Sequence, residues 1–337
     1  MKQKHIGIRG IICTLTGAML WGLSGTCMQY LIEDRGFPVT YMTWTRMFCA
    51  GILFIGLMLI YKRDVIKKII HDRSSIIQLA IFAIFGLLMS QFAYAMTICY
   101  TDAGTATVLQ CLSTVVLIVY GCCVHRRAPA HIELVATTLA VVATFLIATQ
   151  GDPMNLSLPM LALVWGLVNA CVCAFFAEYP RRLLAQWGSV PVMGCAMVIG
   201  CLFITPIAQP WTVNIAWDPS SIAAVGTVAV LGTVVSFSLF LQGVKDLGSV
   251  KASLLGVGEP VSASVCTCLL LGTVFTPIDL VAFSMIILMV VIVTLARPHN
   301  RSESTSKVVA IGRSTISIKK RVLGVKRSHR DSDEQAA

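Results

Sequence analysis

Ionisable side chains inside long apolar runs are the first candidates for chemistry, because each costs several kcal/mol in hydrocarbon unless it has a task or a partner. Glu259 stands in Gly256-Val257-Gly258-Glu259-Pro260, ten residues into such a run. At 1.5 Å per residue a helix carries it about 15 Å deep, near the middle of a bilayer. The glycines and the proline weaken the helical ladder there and free backbone groups for a ligand. A carboxylate so placed can carry a proton or receive a cationic group; the plainer reading is that it satisfies freed amides or holds a buried cation. Arg46 is the opposite charge, about 10 Å deep in another run. It can receive an anionic group such as a carboxylate; the preferred reading is a structural task, either snorkelling to headgroups or a fixed pair with Glu259 or Asp102.

Around these two charges the runs carry neutral polar and aromatic groups. Trp21 and Trp165 are suited to wall a cavity and equally to fill gaps between tilted helices. Gln91, Tyr94, Gln110 and Asn169 can hydrogen-bond a polar solute or a neighbouring helix, the latter at about 0.6 kcal/mol a pair. Glu178 is set aside, since Arg181 and Arg182 follow three and four residues later and make an interfacial ion pair.

Other chemistries lack their groups. His5, His71, His125, His131, His299 and His329 fall at the termini or in loops, away from any nucleophile at depth, so no enzyme is expected. Cys171-Val172-Cys173 and Cys266-Thr267-Cys268 come without histidine or carboxylate company, and no metal or other cofactor is expected. The 13 cysteines lie mostly inside apolar runs, as Cys13, Cys49, Cys111, Cys195 and Cys201 do, which suits small-residue packing rather than a disulfide framework. No glycine-rich loop with a following lysine is present to cradle a nucleotide phosphate. Rings of repeated polar residues, as a channel would use, are missing as well.

The elements that must position these residues are membrane helices. The chain of 337 residues is 56% hydrophobic and 12% charged, about half the charge of an ordinary soluble domain. Ten apolar runs are long enough to span, at 10–32, 39–61, 76–98, 103–123, 131–150, 157–178, 189–210, 220–243, 249–271 and 277–296. The first is too long for a cleaved signal and is expected to be a membrane helix. Turn residues separate several of them: Gly36-Phe37-Pro38, Gly151-Asp152-Pro153, Asp218-Pro219 and Thr276-Pro277.

Net charge is +10, and its placement argues for lipid headgroups as the anionic partner and against nucleic acid. Of the 26 lysines and arginines, all but Arg35 and Arg46 fall on alternate connections or in the tail, among them Lys62, Arg63, Arg126, Arg127 and Lys251. The positive-inside rule then puts both termini in the cytoplasm, residues 1–9 as a short N-terminal segment and 297–337 as a basic, unstructured tail. Lys319-Lys320-Arg321 and Lys326-Arg327 of that tail are expected to rest on anionic lipid.

The sequence is also doubled. At an offset of 144, Ala18, Trp21, Gly22, Leu23 and Cys27 match Ala162, Trp165, Gly166, Leu167 and Cys171. At an offset of 146, Ala83, Gly86, Ser90, Ala106 and Leu109 match Ala229, Gly232, Ser236, Ala252 and Leu255. A repeat of five helices is odd in number, so the second copy, 157–296, enters the membrane opposite to the first, 10–150. The expected fold is an all-α integral membrane protein of ten transmembrane helices built as two inverted five-helix repeats, an arrangement used for alternating access. The small-residue stripe Ser249, Ala252, Ser253, Gly256, mirrored by Ala103, Ala106, Thr107, Gln110, is read as packing between the repeats.

This pattern resembles the EamA-like family of the drug/metabolite transporter superfamily. The resemblance rests on Trp21-Gly22 and Trp165-Gly166, on Pro38 followed by Arg46, on the small-residue segment running into Glu259-Pro260-Val261, and on the five-plus-five layout over roughly residues 10–296. Thr114, Val124-His125-Arg126 and Leu271-Gly272-Thr273 depart from the proline and Leu-Gly-Glu that members often carry there. The resemblance implies a secondary transporter of the inner (plasma) membrane, with a central cavity and a small-molecule substrate such as an amino acid, amine or carboxylate, and export as the direction. A drug-like or lipid-like solute, or a receptor or scaffold without transport, are the alternatives. Assembly as a homo-oligomer is left open.

Overall fold

The computed structural model describes residues 2–61, 65, 68–69, 71–126, 128–152, 157–215, 217–247, 252, 255–256 and 258–296. The chain divides into a compact unit, Met1–Thr294, and a second unit, Leu295–Ala337, of which Leu295 and Ala296 are described. The expected basic tail lies outside the described residues, as do Lys62, Arg63, Lys67, Arg127, Pro153, Ser249, Lys251, Ser253 and Val257.

Among the described residues all regular structure is helical. Eight helices are long and apolar enough to cross a membrane: α1 (Ile8–Glu33), α2 (Val39–Leu59), α3 (Arg73–Tyr100), α4 (Ala103–Val124), α5 (His131–Thr149), α6 (Met160–Trp187), α7 (Ser189–Ala208) and α8 (Pro219–Leu247). Two shorter apolar helices follow, α9 (Gly258–Leu271) and α10 (Pro277–Val293). Large apolar side chains stay exposed on the outside of the bundle, among them Leu202, Ile207 and Leu269, which is the surface hydrocarbon would wet.

Short polar side chains start several of these helices. Asp72, Asp102 and Asp218 each sit in extended backbone and accept from an amide of the first turn, satisfying a donor that the helix cannot use. Gly36 (φ +66°) and Gly151 (φ +83°) make the left-handed turns expected at those positions.

The ends differ from the hydropathy reading where local geometry intervenes. The first helical run begins at Lys2 instead of residue 10, since nothing in that stretch breaks a helix. A turn at Cys111–Leu112 interrupts α4, and α6 bends at Tyr179–Pro180 before continuing over Arg181–Trp187. In α9 the change matters most. The expected continuous span 249–271 is broken at Gly256, which is in a turn, and the helix resumes at Gly258. Glu259 therefore sits in a first helical turn, where the partial positive charge of the free amides favours a carboxylate.

Contacts fix the directions of the helices. Along α1, Arg9, Gly17, Ser24 and Tyr30 meet Asp246, Phe240, Gly232 and Ser220 of α8, so the two run antiparallel. Along α3, Ser75, Gly86 and Phe92 meet Trp187, Phe175 and Trp165 of α6 in the same sense. Leu15, Gly22 and Thr26 of α1 meet Gly258, Ala263 and Thr267 of α9, a parallel pair, and Leu109 and Gln110 of α4 meet Gly166 and Asn169 of α6 likewise. Trp44, Met47 and Phe54 of α2 pack antiparallel on Thr205, Gly200 and Gly194 of α7. Exchanging α1 with α6, α3 with α8 and α4 with α9 turns each of the first four pairs into another of them. Each of α3 and α8 also contains a π-helical segment, Phe82–Leu88 and Thr227–Val235, at corresponding places in the two halves.

Candidate functional site

A cavity of about 220 Å³ opens between α1, α2, α3, α4, α6, α8 and α9. Its lining includes Glu259, Arg46, Trp21, Gln91, Tyr94 and Gln110, six of the eight residues singled out from sequence. Asn169 and Trp165 are not on its wall. Asn169 is fully buried behind it and donates to Gln110 Oε1 at 3.2 Å, while accepting from Cys173 Sγ at 3.4 Å. Trp165 turns away and packs edge-on against Phe92, with ring centroids 5.6 Å apart. Its repeat-mate Trp21 stands on the wall, against Phe237 and Phe240.

Arg46 is 7% exposed. Its Nε donates to Thr233 Oγ1 at 3.2 Å and Nη2 reaches the Gly232 carbonyl at 3.5 Å. Both acceptors, one a side-chain hydroxyl and one a backbone carbonyl, belong to the π-helical segment of α8. The partners considered from sequence, Glu259 and Asp102, are not the ones it uses. Asp102 is taken up capping α4, accepting from Thr105 N and Thr105 Oγ1 at 2.8 and 2.7 Å. Among the described residues no ion pair within 4.0 Å joins Arg46 to Glu259. The two charges line one cavity without neutralising each other directly.

The Glu259 carboxylate has Gln110 beside it. Because Asn169 donates to the Gln110 oxygen, the Gln110 amino group is the end left to face the carboxylate. Tyr94 is oriented by a similar chain. Thr107 donates to the Ala103 carbonyl at 2.7 Å, so Tyr94 must be the donor in its 2.9 Å bond with Thr107, and its oxygen lone pairs remain available.

Sequence reasoning missed several wall residues: Ser24, Gly25, Ser90, Ser113, Cys173, Phe176 and Phe237. A helical spacing signal was present, since Ser24 and Gly25 are three and four residues from Trp21, and Ser90 is four from Tyr94. Ser24 is the most informative. It is 1% exposed, borders the cavity, and its hydroxyl has no hydrogen-bond partner among the described residues. A buried hydroxyl left unpaired costs about 1–3 kcal/mol, a cost that a ligand atom would remove. Glu178 behaves as expected, pairing with Arg181 at 2.8 Å.

The floor of the site depends on close helix approach. A methyl group on Gly22 would lie 2.6 Å from Ala263 N and from the Glu259 carbonyl oxygen, so α1 and α9 touch backbone to backbone beside Glu259. The repeat-related Gly166 has the Leu109 side chain against it, 2.7 Å from where a methyl would be.

A bundle of apolar helices with a polar, charged cavity at its centre defines a membrane protein that handles a solute. The comparisons with known proteins give the family: residues 8–149 and 160–295 each match the EamA-like transporter family, and the chain belongs to it. It is 34% identical over 287 residues to a Salmonella typhimurium protein named as the uncharacterized inner membrane transporter YicL, covering 85% of this chain and 95% of that one. A Bacillus subtilis protein, named as the uncharacterized transporter YwfM, is 19% identical over 84% of this chain and 92% of its own. A crystal structure of a protein with 14% sequence identity shares the fold, with a TM-score of 0.55 over 87% of this chain and 96% of that one.

Proposed function

We propose that the protein is a secondary transporter of a small metabolite bearing both a cationic and an anionic or hydrogen-bonding group, such as an amino acid, with amines and carboxylates as narrower versions. The observation that carries this reading is the pair of charges on one cavity wall, Glu259 and Arg46, which are not joined to each other and stand near the unpartnered Ser24 hydroxyl. Glu259, with Gln110 held by Asn169, is the receptor for the cationic group or for a coupling proton. Arg46, Ser24 and Tyr94 receive the opposite end, and Trp21, Phe176 and Phe237 provide an apolar wall.

Alternating access follows from the architecture. We take the eight long helices and the two short ones as ten crossings, arranged as two inverted five-helix repeats with both termini in the cytoplasm. The reversed helix directions, the exchange of helix pairs between halves and the matched π-helical segments support this. Such halves can swap conformations and present the cavity to either face. The relative named as an inner membrane transporter supports the same membrane for this chain; export is the direction we propose.

A second reading, export of a drug-like or lipid-like solute, is favoured by an apolar groove of about 310 Å³ between α4 and α6, lined by Tyr120, Phe175 and Tyr179 among others. The test is thermal stabilisation of purified protein across amino acids, amines, carboxylates, nucleosides and sugars, since a ligand of the native state raises the midpoint by mass action. A dipolar hit that vanishes in Glu259→Gln, with the folded protein intact, supports the reading. A response confined to apolar solutes and untouched by Glu259→Gln transfers the function to the groove, and silence throughout favours a receptor or scaffold.

A further inference from the structure

Two four-residue segments are copies of one another. Asp72-Arg73-Ser74-Ser75 opens α3 and Asp218-Pro219-Ser220-Ser221 opens α8, at the offset of 146 that relates the rest of these helices. Each aspartate caps its helix through a first-turn amide, two residues on in one and three in the other: Asp72 Oδ1 accepts from Ser74 N and Asp218 Oδ1 from Ser221 N, at 3.3 and 3.1 Å. Because α3 and α8 run in opposite directions, the two caps lie at opposite faces of the bundle.

Each cap is fastened from outside its own helix by the end of the helix that runs beside it. At one face Arg35, just past α1, donates from Nη2 to Asp218 Oδ2 at 2.9 Å and to Ser220 Oγ at 2.7 Å. Tyr30 adds a 2.8 Å bond to Ser220, and Arg35 lies over the Tyr30 ring. At the other face Trp187, the last residue of α6, donates from Nε1 to Ser75 Oγ at 2.8 Å, and Ser75 in turn donates to Asp72 at 2.6 Å. The clasping helices α1 and α6 are themselves repeat-mates. The first clasp is ionic and the second is neutral.

Between each clasp and the cavity lies a short arm and then a π-helical segment: Arg73–Ile81 before Phe82–Leu88, and Pro219–Gly226 before Thr227–Val235. A π-helical turn interrupts the i to i−4 ladder and is a natural place for a helix to bend. The cavity residues Ser90, Gln91 and Tyr94 on α3 and Phe237 on α8 come just beyond the two segments.

We infer that the two Asp-x-Ser-Ser arms are the gates of the transport path, one at each membrane face, each latched by its clasp and hinged at its π-helical segment. The inference rests on the transporter reading of the cavity. Opening the Arg35–Asp218 clasp exposes the cavity to one side, and opening the Trp187–Ser75 clasp exposes it to the other. Both clasps are closed in this structure. Their different chemistry makes the faces distinguishable, because salt screens an exposed ion pair and leaves an indole–hydroxyl bond alone.

Cys173 on the cavity wall supplies a reporter. In a variant keeping Cys173 as its one cysteine, labelling by a membrane-impermeant maleimide is followed in sealed vesicles of both orientations. Arg35→Gln raises labelling from the Arg35 face about three- to fivefold, the population shift that loss of a surface ion pair allows, and leaves the other face unchanged. Trp187→Phe does the reverse, and Glu178→Gln, which removes an ion pair within α6, changes neither face. The wild-type chain with all its cysteines gives a second readout. Amide hydrogen exchange rises over 219–226 in Asp218→Asn and over 73–81 in Trp187→Phe, each without the other. Labelling that rises from both faces in either variant, or exchange that changes in both arms together, overturns the gates while leaving solute binding at Glu259 standing. Failure of the maleimide to reach Cys173 from either face in every folded variant overturns the gates and the transport path together.

Discussion

Adding one methyl group at Gly22 tests whether α1 and α9 touch as closely as the structure has them. The new Cβ would lie 2.6 Å from Ala263 N and from Glu259 O, and closer still to Ser262 Oγ. Ordinary van der Waals separation is about 3.5–4.0 Å, so two stretches of backbone must part by roughly 1 Å. Overpacking of this kind costs about 1–3 kcal/mol, of which alanine's better helix propensity returns up to about 1 kcal/mol. The expected net loss is about 1–2 kcal/mol, a fall in Tm of about 1–3 °C for a chain of this length. Two further glycines calibrate the series. At Gly166 the neighbour is the Leu109 side chain, which can change rotamer, so Gly166→Ala falls less. At Gly56 nothing lies within 4 Å, so Gly56→Ala holds or gains through propensity alone. The assay is intrinsic-fluorescence melting of the three purified variants in one detergent. A Tm for Gly22→Ala equal to or above that of Gly56→Ala would refute the packing on which the geometry of Glu259 depends.

Two further outcomes follow from the charges. Among the described residues Arg46 hydrogen-bonds to the neutral acceptors Thr233 and Gly232 and has no carboxylate in ion-pair contact. A buried charge without such a partner is a burden on the fold. Arg46→Met is therefore expected to melt no lower than wild type while losing the response to carboxylate-bearing solutes; a marked drop in Tm would make Arg46 a scaffold residue. The Asp218 carboxyl, at the bundle surface, is held well below the usual carboxylate range, first by the Ser220 hydroxyl, with Arg35 assisting. A depressed folded value contributes stability above the unfolded value of about 3.9 and loses it as pH falls through the folded one. The Tm difference between wild type and Asp218→Asn should thus stay flat from about pH 5 to 8, and a difference that grows across that window would contradict the capped, ionised state.

Much of the architecture was legible because it is written in local properties. Length and hydropathy mark the runs, the aspartates that cap α3, α4 and α8 sit at their starts, and the duplicated Trp-Gly pairs survive in Trp21-Gly22 and Trp165-Gly166. The scarcity of ionisable groups at depth was enough to pick out Glu259 and Arg46, and both line the cavity. The Asp-x-Ser-Ser copies were equally visible in the chain; what hid their meaning is that their clasps, Arg35 and Trp187, come from distant helices.

Tertiary structure alone decided which faces look inward. In a soluble helix an apolar stripe against a polar one reveals the buried side, but in a membrane the lipid side and the packed side are both apolar. Nothing in the sequence could therefore say that Trp21 faces the cavity while its repeat-mate Trp165 turns to Phe92, or that Asn169 stands behind Gln110 as its support. Nor could it say that Arg46 would spend its bonds on the π-helical segment of α8, because Thr233 lies 187 residues away in sequence and comes within reach only when the helices pack. Composition and repeat fixed the kind of protein; the packing of helices far apart in sequence placed the two charges on one wall.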